Sequence, residues 1–503
     1  MAGGVAVLDY DNDGCMDVFF TNGAALPSLR KTGPEFSNRL FHNNCNMTFT
    51  DVTEAAGVAG KGYSMAVATG DFDNDGLTDI FVAGVNENIL YRNLGKGRFA
   101  DITAKAGVAG VDPKSGKPWS VSAGWFDYDN DGWLDLFVAN YVVWDPTKET
   151  RCGTTEQQYY CHPDAYQGLP SQLFHNNRDG TFTDVSITSG IARHIGKAMG
   201  VAFADMDGDG LTDIFVANDS VRNFLFHNEG GGKFREIGLE AGAALRDDGK
   251  AIAGMGVDFR DFNNDGLPDL IVSGMINDSF LLFRNRGGKG GFEDYGQSSG
   301  LRMATRQLTG WGLGMYDFDN DGWKDLFFGL AHFAELGHYI GRDSALPNRV
   351  FRNVDGGRFE DVSSGAGPGF ELPAQHRGVA FADFDNDGRL DAVVSVLNGP
   401  AKLFHNITAN DAHWLALKLH GKRSNRQGLG VTVRIVLPDG RSLYNQATTS
   451  VGYASSSEPL VRFGLGVNRT AQRIEIRWPG GVTQQLTDVI ADRTVEVTEE
   501  AQP

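Results

Sequence analysis

The chain is short of cysteine, proline, positive charge and long apolar runs, and each shortage removes a class of protein. Four cysteines in 503 residues are too few to build a disulfide scaffold. No stretch approaches the ~20 consecutive apolar residues of a bilayer-spanning helix, so no membrane span is expected. Lys and Arg number 45 against 64 Asp and Glu, a formal charge of −19. That balance argues against nucleic acid as a partner, because a phosphate backbone needs a cationic face. Sixteen prolines against 66 glycines suit a fold with many tight turns. There is no nucleophile elbow, H-E-x-x-H zinc motif or phosphate loop, so no catalytic residue is assigned. Met1-Ala2-Gly3-Gly4 leads straight into a strand-like stretch, with no signal peptide, and a truncated N-terminus is expected.

What the chain does have is repetition. The cassette D-x-D-x-D-G-x-x-D recurs seven times, with asparagine for one acid in one copy. Its ligand-type positions are Asp9, Asp11, Asp13 and Asp17 in the first copy and Asp71, Asp73, Asp75 and Asp79 in the second. Then follow Asp127, Asp129, Asp131 and Asp135, and Asp205, Asp207, Asp209 and Asp213. The fifth copy has Asp261, Asn263, Asp265 and Asp269, the sixth Asp317, Asp319, Asp321 and Asp325, the seventh Asp383, Asp385, Asp387 and Asp391. Hard oxygens at this spacing, with a backbone carbonyl expected from position 7, suit Ca²⁺ better than Mg²⁺, which prefers rigid octahedral sites and keeps much of its water. Glycine at position 6 permits the sharp reversal of the chain. Position 12 is always apolar (Phe20, Val82, Val138, Val216, Val272, Phe328, Val394), where an EF-hand needs a bidentate glutamate. The EF-hand is excluded.

Up to seven Ca²⁺ ions are expected, and they would bring the formal charge from −19 to −5. With a Kd of ~10⁻⁴ M in ~1 mM calcium, each contributes about 1.4 kcal/mol, roughly 10 in all. That is comparable with the whole stability of a domain. In a cytosol with submicromolar calcium it would vanish. The loops therefore read as structural staples of an extracellular, cell-surface or periplasmic protein. The Asn263 loop, with one charge less, should be the weakest.

Around each cassette the pattern repeats: a small-residue strand before it, an apolar run after it, then a Leu/Val-Phe/Tyr-His/Arg-Asn strand ending at Asn43, Asn93, Asn176, Asn228, Asn285, Asn353 or Asn406. A Gly-rich turn and a Phe-x-Asp-Val-type strand follow in all but the last unit. Four short strands, seven times over, predict an all-β seven-bladed β-propeller over residues 1–407. The last unit has no fourth strand of its own, so either it has three or the sequence after Asn406 fills the edge. Residues 411–500 alternate in strand fashion near 414–419, 431–437, 460–464, 473–478 and 493–498 and predict a small β-sandwich or barrel.

The units resemble FG-GAP/VCBS repeats, the calcium-loop propeller modules also found in integrin α heads. The tail, with His413–Leu419, Gly421–Gly430 and Ile474–Gly481, is similar to the ASPIC/UnbV domain. Together they resemble the cartilage acidic protein family and its bacterial relatives. The resemblance implies a secreted or cell-surface calcium-binding protein and implies no reaction.

Long connections fall in units one, three and six, on the side away from the acidic loops. The longest carries Tyr141, Trp144, Tyr159, Tyr160 and Tyr166, with Cys152 and Cys161 placed to clip it. These rings are a candidate surface for an unidentified protein or glycan partner, or else caps on the central channel. Cys15 and Cys45 sit where they could also meet. His42, His175, His227 and His405 share a slot with Arg92, Arg284 and Arg352, which reads as strand-edge packing. His332, Glu335 and His338 form a minor candidate cluster. Lys418, Lys422, Arg423 and Arg426 are either a dock for the propeller or an acidic partner, or a solvated loop. The reading is an interaction or adhesion module. Its alternative is a secreted glycan-acting enzyme using the insertion face, and a third option is a surface protein whose only ligand is calcium.

Overall fold

Each acidic cassette joins two antiparallel strands, and the apolar run after it supplies the second of them. In the first unit the strands are Val5–Leu8, Asp17–Phe20, Arg39–Asn43 and Phe49–Asp51, paired in sequence order. The computed structural model describes residues 3–110, 118–148, 152–153, 158–159, 161–333 and 343–500, with the backbone alone for Gly153, Gln158, Tyr159 and Lys289. Among these, six four-stranded sheets and one three-stranded sheet follow the seven cassettes. Their first strands touch in cyclic order, and the seventh meets the first, so the sheets close a propeller. Small residues line this inner ring because neighbouring sheets converge there. A Cβ on Gly124 would strike Phe203, and one on Gly256 would strike the Trp311 carbonyl.

Apolar side chains fill the gaps between sheets. Val5, Val7 and Val18 pack on Ala380, Ala382, Phe384 and Val393 at the closing joint. At ~25 cal/mol per Å² of apolar area buried, such interfaces hold the ring together. The seventh sheet has three strands, His376–Ala382, Asp391–Val396 and Lys402–Phe404. No later strand joins it among the described residues.

The C-terminal domain is a β-sandwich. One sheet orders Val461–Gly466, His413–His420 and Arg493–Thr498, with the last two parallel; the other orders Ser442–Gln446, Thr432–Val436, Thr470–Arg477 and Thr483–Ile490. Leu415, Leu417, Ile435, Phe463, Ile474 and Trp478 lie in the core between them. Two strands, Ser442–Gln446 and Thr483–Ile490, were not foreseen. Both carry polar residues at many positions and show little apolar alternation.

The segment Ala447–Glu458 leaves the sandwich and enters the axis of the propeller. It hydrogen-bonds to the inner strands as an added strand would: Val7 N to Ser456 O at 3.0 Å, Ser456 N to Val5 O at 3.0 Å, Val67 N to Ala454 O at 3.2 Å and Gly452 N to Val257 O at 2.8 Å. Ser450 Oγ reaches Val201 O at 2.9 Å and Thr449 Oγ1 reaches Thr69 O at 3.1 Å. Tyr453, fully buried, packs edge-on against Trp311 at 5.1 Å. The second domain thus plugs the channel of the first.

Candidate metal centres and the domain seated on them

The first loop shows how the cassette folds. Asp9 accepts from the backbone N–H of Asp13 at 3.0 Å and of Gly14 at 3.1 Å, which curls the loop around its carboxylate. Asp13 accepts from Cys15 N at 2.8 Å. Asp17 accepts from Tyr10 N at 3.1 Å and from Asn43 N at 2.8 Å, tying the loop to the third strand. The same bonds recur elsewhere: Asp71 holds Asp75 N and Gly76 N, Asp127 holds Asp131 N and Gly132 N, Asp383 holds Asp387 N and Gly388 N. In the fifth loop Asn263 Oδ1 accepts from Asp265 N at 3.0 Å.

At the third position the second, third and seventh loops differ from the fourth, fifth and sixth, where Asp207, Asn263 and Asp319 accept from the backbone N–H two residues on. One carboxylate oxygen of Asp73, Asp129 and Asp385 is buried with no hydrogen-bond partner. Burying such an oxygen unpaired is unfavourable, and it is what a loop awaiting a cation leaves open. Burial first, opposed by backbone N–H bonds and reinforced by neighbouring carboxylates, pushes Asp17 up to about 8 and Asp71 to about 7. Asp79, Asp269 and Asp325 are also raised well above the ordinary carboxylate range, again by burial first. These carboxylates need protons or a cation at close range. The donor set fits a hard divalent ion. Positions 1, 3, 5 and 9 would hold it, and it would supply neutralising charge and rigidity.

The His/Arg slot is not strand-edge packing. His42 Nδ1 lies 3.5 Å from Asp11 and 3.2 Å from Asp17, and His175 and His227 lie 3.3 Å from Asp135 and 3.1 Å from Asp213. Arg92 lies 2.6 Å from Asp73, and Arg352 lies 3.0 Å from Asp319. His405 Nε2 is 3.1 Å from Asp385. The third strand ends beside the loop, so a long polar side chain there reaches the carboxylates.

Two sets of asparagines link one loop to the next. At position 4, with left-handed φ near 60°, Asn12 donates to Gly76 O at 3.0 Å, Asn74 to Gly132 O, Asn130 to Gly210 O, Asn264 to Gly322 O, Asn320 to Gly388 O and Asn386 back to Gly14 O. The fourth loop has Gly208 there. The asparagine ending each third strand donates to the previous loop, as Asn93 does to Tyr10 O at 2.8 Å. Asn43 donates to Phe384 O at 3.0 Å and so closes the ring. Recurrence at fixed positions was the signal in the sequence. The carbonyl acceptors, one unit away, were not visible in it.

The C-terminal domain sits on this rim. Arg426 N donates to Asn74 Oδ1 at 2.8 Å, Tyr444 N to Asn264 Oδ1 at 3.2 Å, and Gly466 N to Asn320 O at 2.8 Å. Lys324 donates to both Asp261 O and Tyr444 O at 2.7 Å. Arg462 joins Asp383 at 3.3 Å and also pairs with Glu458. The Gly421–Gly430 segment is therefore a dock for the propeller, through the Arg426 backbone N–H and the Gln427 side-chain amide, which accepts from Asp71 N at 3.0 Å and donates to Thr78 Oγ1 at 3.2 Å. Lys422, Arg423 and Arg426 remain exposed, and Glu499 accepts from Lys422 N and Arg423 N.

Disulfides join Cys15 to Cys45 at 2.01 Å and Cys152 to Cys161 at 2.02 Å. Tyr141 is not available to a partner. It is buried, with its hydroxyl on Asp219 at 2.6 Å and its ring on Trp119, because it begins the connection at the channel mouth. Trp144 and Tyr166 are half-buried beside it. Tyr160, Glu335, His338 and the Tyr159 side chain lie outside the described residues. His332 is buried, with Nδ1 2.9 Å from Thr309 Oγ1.

Models of the FG-GAP-like repeat match residues 9–82, 71–138, 164–216, 205–272, 261–328 and 338–394, and the ASPIC and UnbV model matches 421–503. Cartilage acidic protein 1 of Mus musculus is 26% identical over 507 residues, covering 95% of this chain and 70% of that protein. The Homo sapiens protein of the same name is 26% identical over 508 residues, covering 95% and 69%. Among solved structures, YCF48 bound to D1 peptide aligns with a TM-score of 0.44 at 7% identity, over 80% of this chain and 91% of that one. The chain belongs to the FG-GAP-like repeat family, carries an ASPIC and UnbV domain at its C-terminal end, and resembles cartilage acidic protein 1 over most of its length.

Proposed function

We propose that the chain is an extracellular interaction module whose propeller is stapled by Ca²⁺ at its seven loops and locked by the C-terminal domain seated over them. The observation that carries the reading is the buried third-position oxygen without a partner in the second, third and seventh loops, whose first carboxylates are already organised by backbone N–H groups. Calcium turns a rim of repelling charge into the rigid part of the ring. Two disulfides and a need for millimolar calcium both favour the outside of the cell. The insertion face, with Trp144 and Tyr166 at the channel mouth, is the surface on which a partner would dock.

Metal content after dialysis against millimolar calcium tests this. Several ions per chain, up to seven, are expected, and Asp73→Ala should remove one. Fewer than two ions per chain would contradict the reading.

A further inference from the structure

The C-terminal domain covers the loops unevenly. Asp207, Gly208 and Asp209 of the fourth loop are exposed, whereas Asn320 and Gly322 of the sixth are buried. The fourth loop is also the one with Gly208 in place of the linking asparagine, so its bond to the fifth loop is missing. Arg477 reaches into the gap, donating to Gly208 O at 2.9 Å and lying 3.9 Å from Asp205. Between these loops and one sheet of the C-terminal domain the gap opens into a cleft of about 320 Å³.

One wall of the cleft is a flat patch of polar side chains on that sheet. Thr432 stands opposite Arg477, Arg434 lies between Tyr444 and Glu475, and Thr483 flanks Arg477. Because side chains alternate along a strand, these groups share one face. Arg434 Nη1 is 3.3 Å from Glu475, and its guanidinium lies over the Tyr444 ring at 5.7 Å. The volume is at the small end of ligand sites, with room for roughly one or two pyranose rings.

We infer that this cleft is a binding site for a neutral saccharide. The Arg477 guanidinium and the Glu475 carboxylate are planar and can engage adjacent hydroxyls, while Arg434, whose Nε and Nη2 already donate to Ser442 at 3.2 and 3.1 Å, adds its remaining N–H to a single hydroxyl. Thr432 and Thr483 add single hydroxyl bonds. Tyr444 offers an aromatic surface to the C–H side of a ring. Charge gives an anionic ligand little to hold: Arg434 is already paired with Glu475, which also pairs with Arg473 at 2.7 Å. An acidic peptide or a uronate would meet the Glu475 carboxylate, which its own charge repels. The six side chains lie outside the metal-binding set, while Asp205 and Asp261 of that set form the opposite wall, so this site goes beyond the calcium reading.

The test is saturation-transfer NMR and calorimetry on the full chain in millimolar calcium. The probes are neutral tetrasaccharides of glucose, galactose, mannose and N-acetylglucosamine, with tetragalacturonate and hexaglutamate as charged controls. Saturable binding of at least one neutral tetrasaccharide is expected, weakened about tenfold or more by Arg434→Gln and by Glu475→Gln. Thr483→Ala, at an exposed position, should weaken it severalfold without disturbing the fold, which circular dichroism would check. The inference is overturned if no neutral probe binds, if a charged control binds more tightly, or if binding survives these changes. A melting shift on chelation without saccharide binding would sink this inference and leave the calcium reading standing.

Discussion

The propeller and the domain on top of it differ sharply in charge. From Asp411 onward the chain has 11 Lys and Arg against 9 Asp and Glu; the residues before it have 34 against 55. A basic lid on an acidic rim would be the simple expectation. Among the described residues, however, the lid meets loop carboxylates with a guanidinium at two places, Arg462 on Asp383 and Arg477 near Asp205. Elsewhere it docks through backbone, amide and hydroxyl groups and through Arg441 on the Asp321 carbonyl. Docking by shape leaves the neutralisation of the loops to something else, the role proposed above for bound Ca²⁺.

The comparison can be broken at its strongest joint first. Arg462→Met leaves Glu458 and Asp383 buried without their partner and should destabilise the chain by about 3–5 kcal/mol in urea unfolding. Tyr453→Ala, which empties the tip of the plug, should lie in the same range. If either is neutral, the lid does not lock the ring. Asn43→Ala leaves the Phe384 and Met16 carbonyls, reached at 3.0 and 3.2 Å, without their donor, and about 1–3 kcal/mol should be lost.

A pH series sharpens the electrostatic side. Asp17, Asp135 and Asp391 are raised by burial to about 8, 7 and 7. A carboxyl whose folded value is raised holds its proton more tightly in the folded state. In chelator, stability should therefore fall as pH rises from about 4 to 8. Added calcium should flatten that fall, since the ion replaces the protons. A profile identical with and without calcium would contradict the assignment. The smallest effect is expected at the exposed link: Asn12→Ala should lose less than about 1 kcal/mol, measured by the same unfolding curve.

Much of this was legible in the chain itself. Seven cassettes of fixed spacing dictated repeated antiparallel sheets, because each copy carries its own turn glycine and its own apolar second strand. What stayed hidden involves partners far apart in sequence. Nothing near Asn12 or Asn93 in the sequence names the carbonyls of Gly76 and Tyr10 to which they donate. Ala447–Glu458 reads as a polar loop, since its hydrogen bonds go to inner strands hundreds of residues away and its one large ring, Tyr453, has no periodic neighbours. The His/Arg slot was misread for a related reason: its meaning lies in the loop beside it, not in the strand that carries it.

The most direct test of the central claim is thermal unfolding of the full chain in 1 mM calcium and again in excess chelator. Roughly 10 kcal/mol of linked stabilisation over seven sites predicts a fall in melting temperature of well over ten degrees, restored by adding calcium back. An unchanged melting temperature would contradict it.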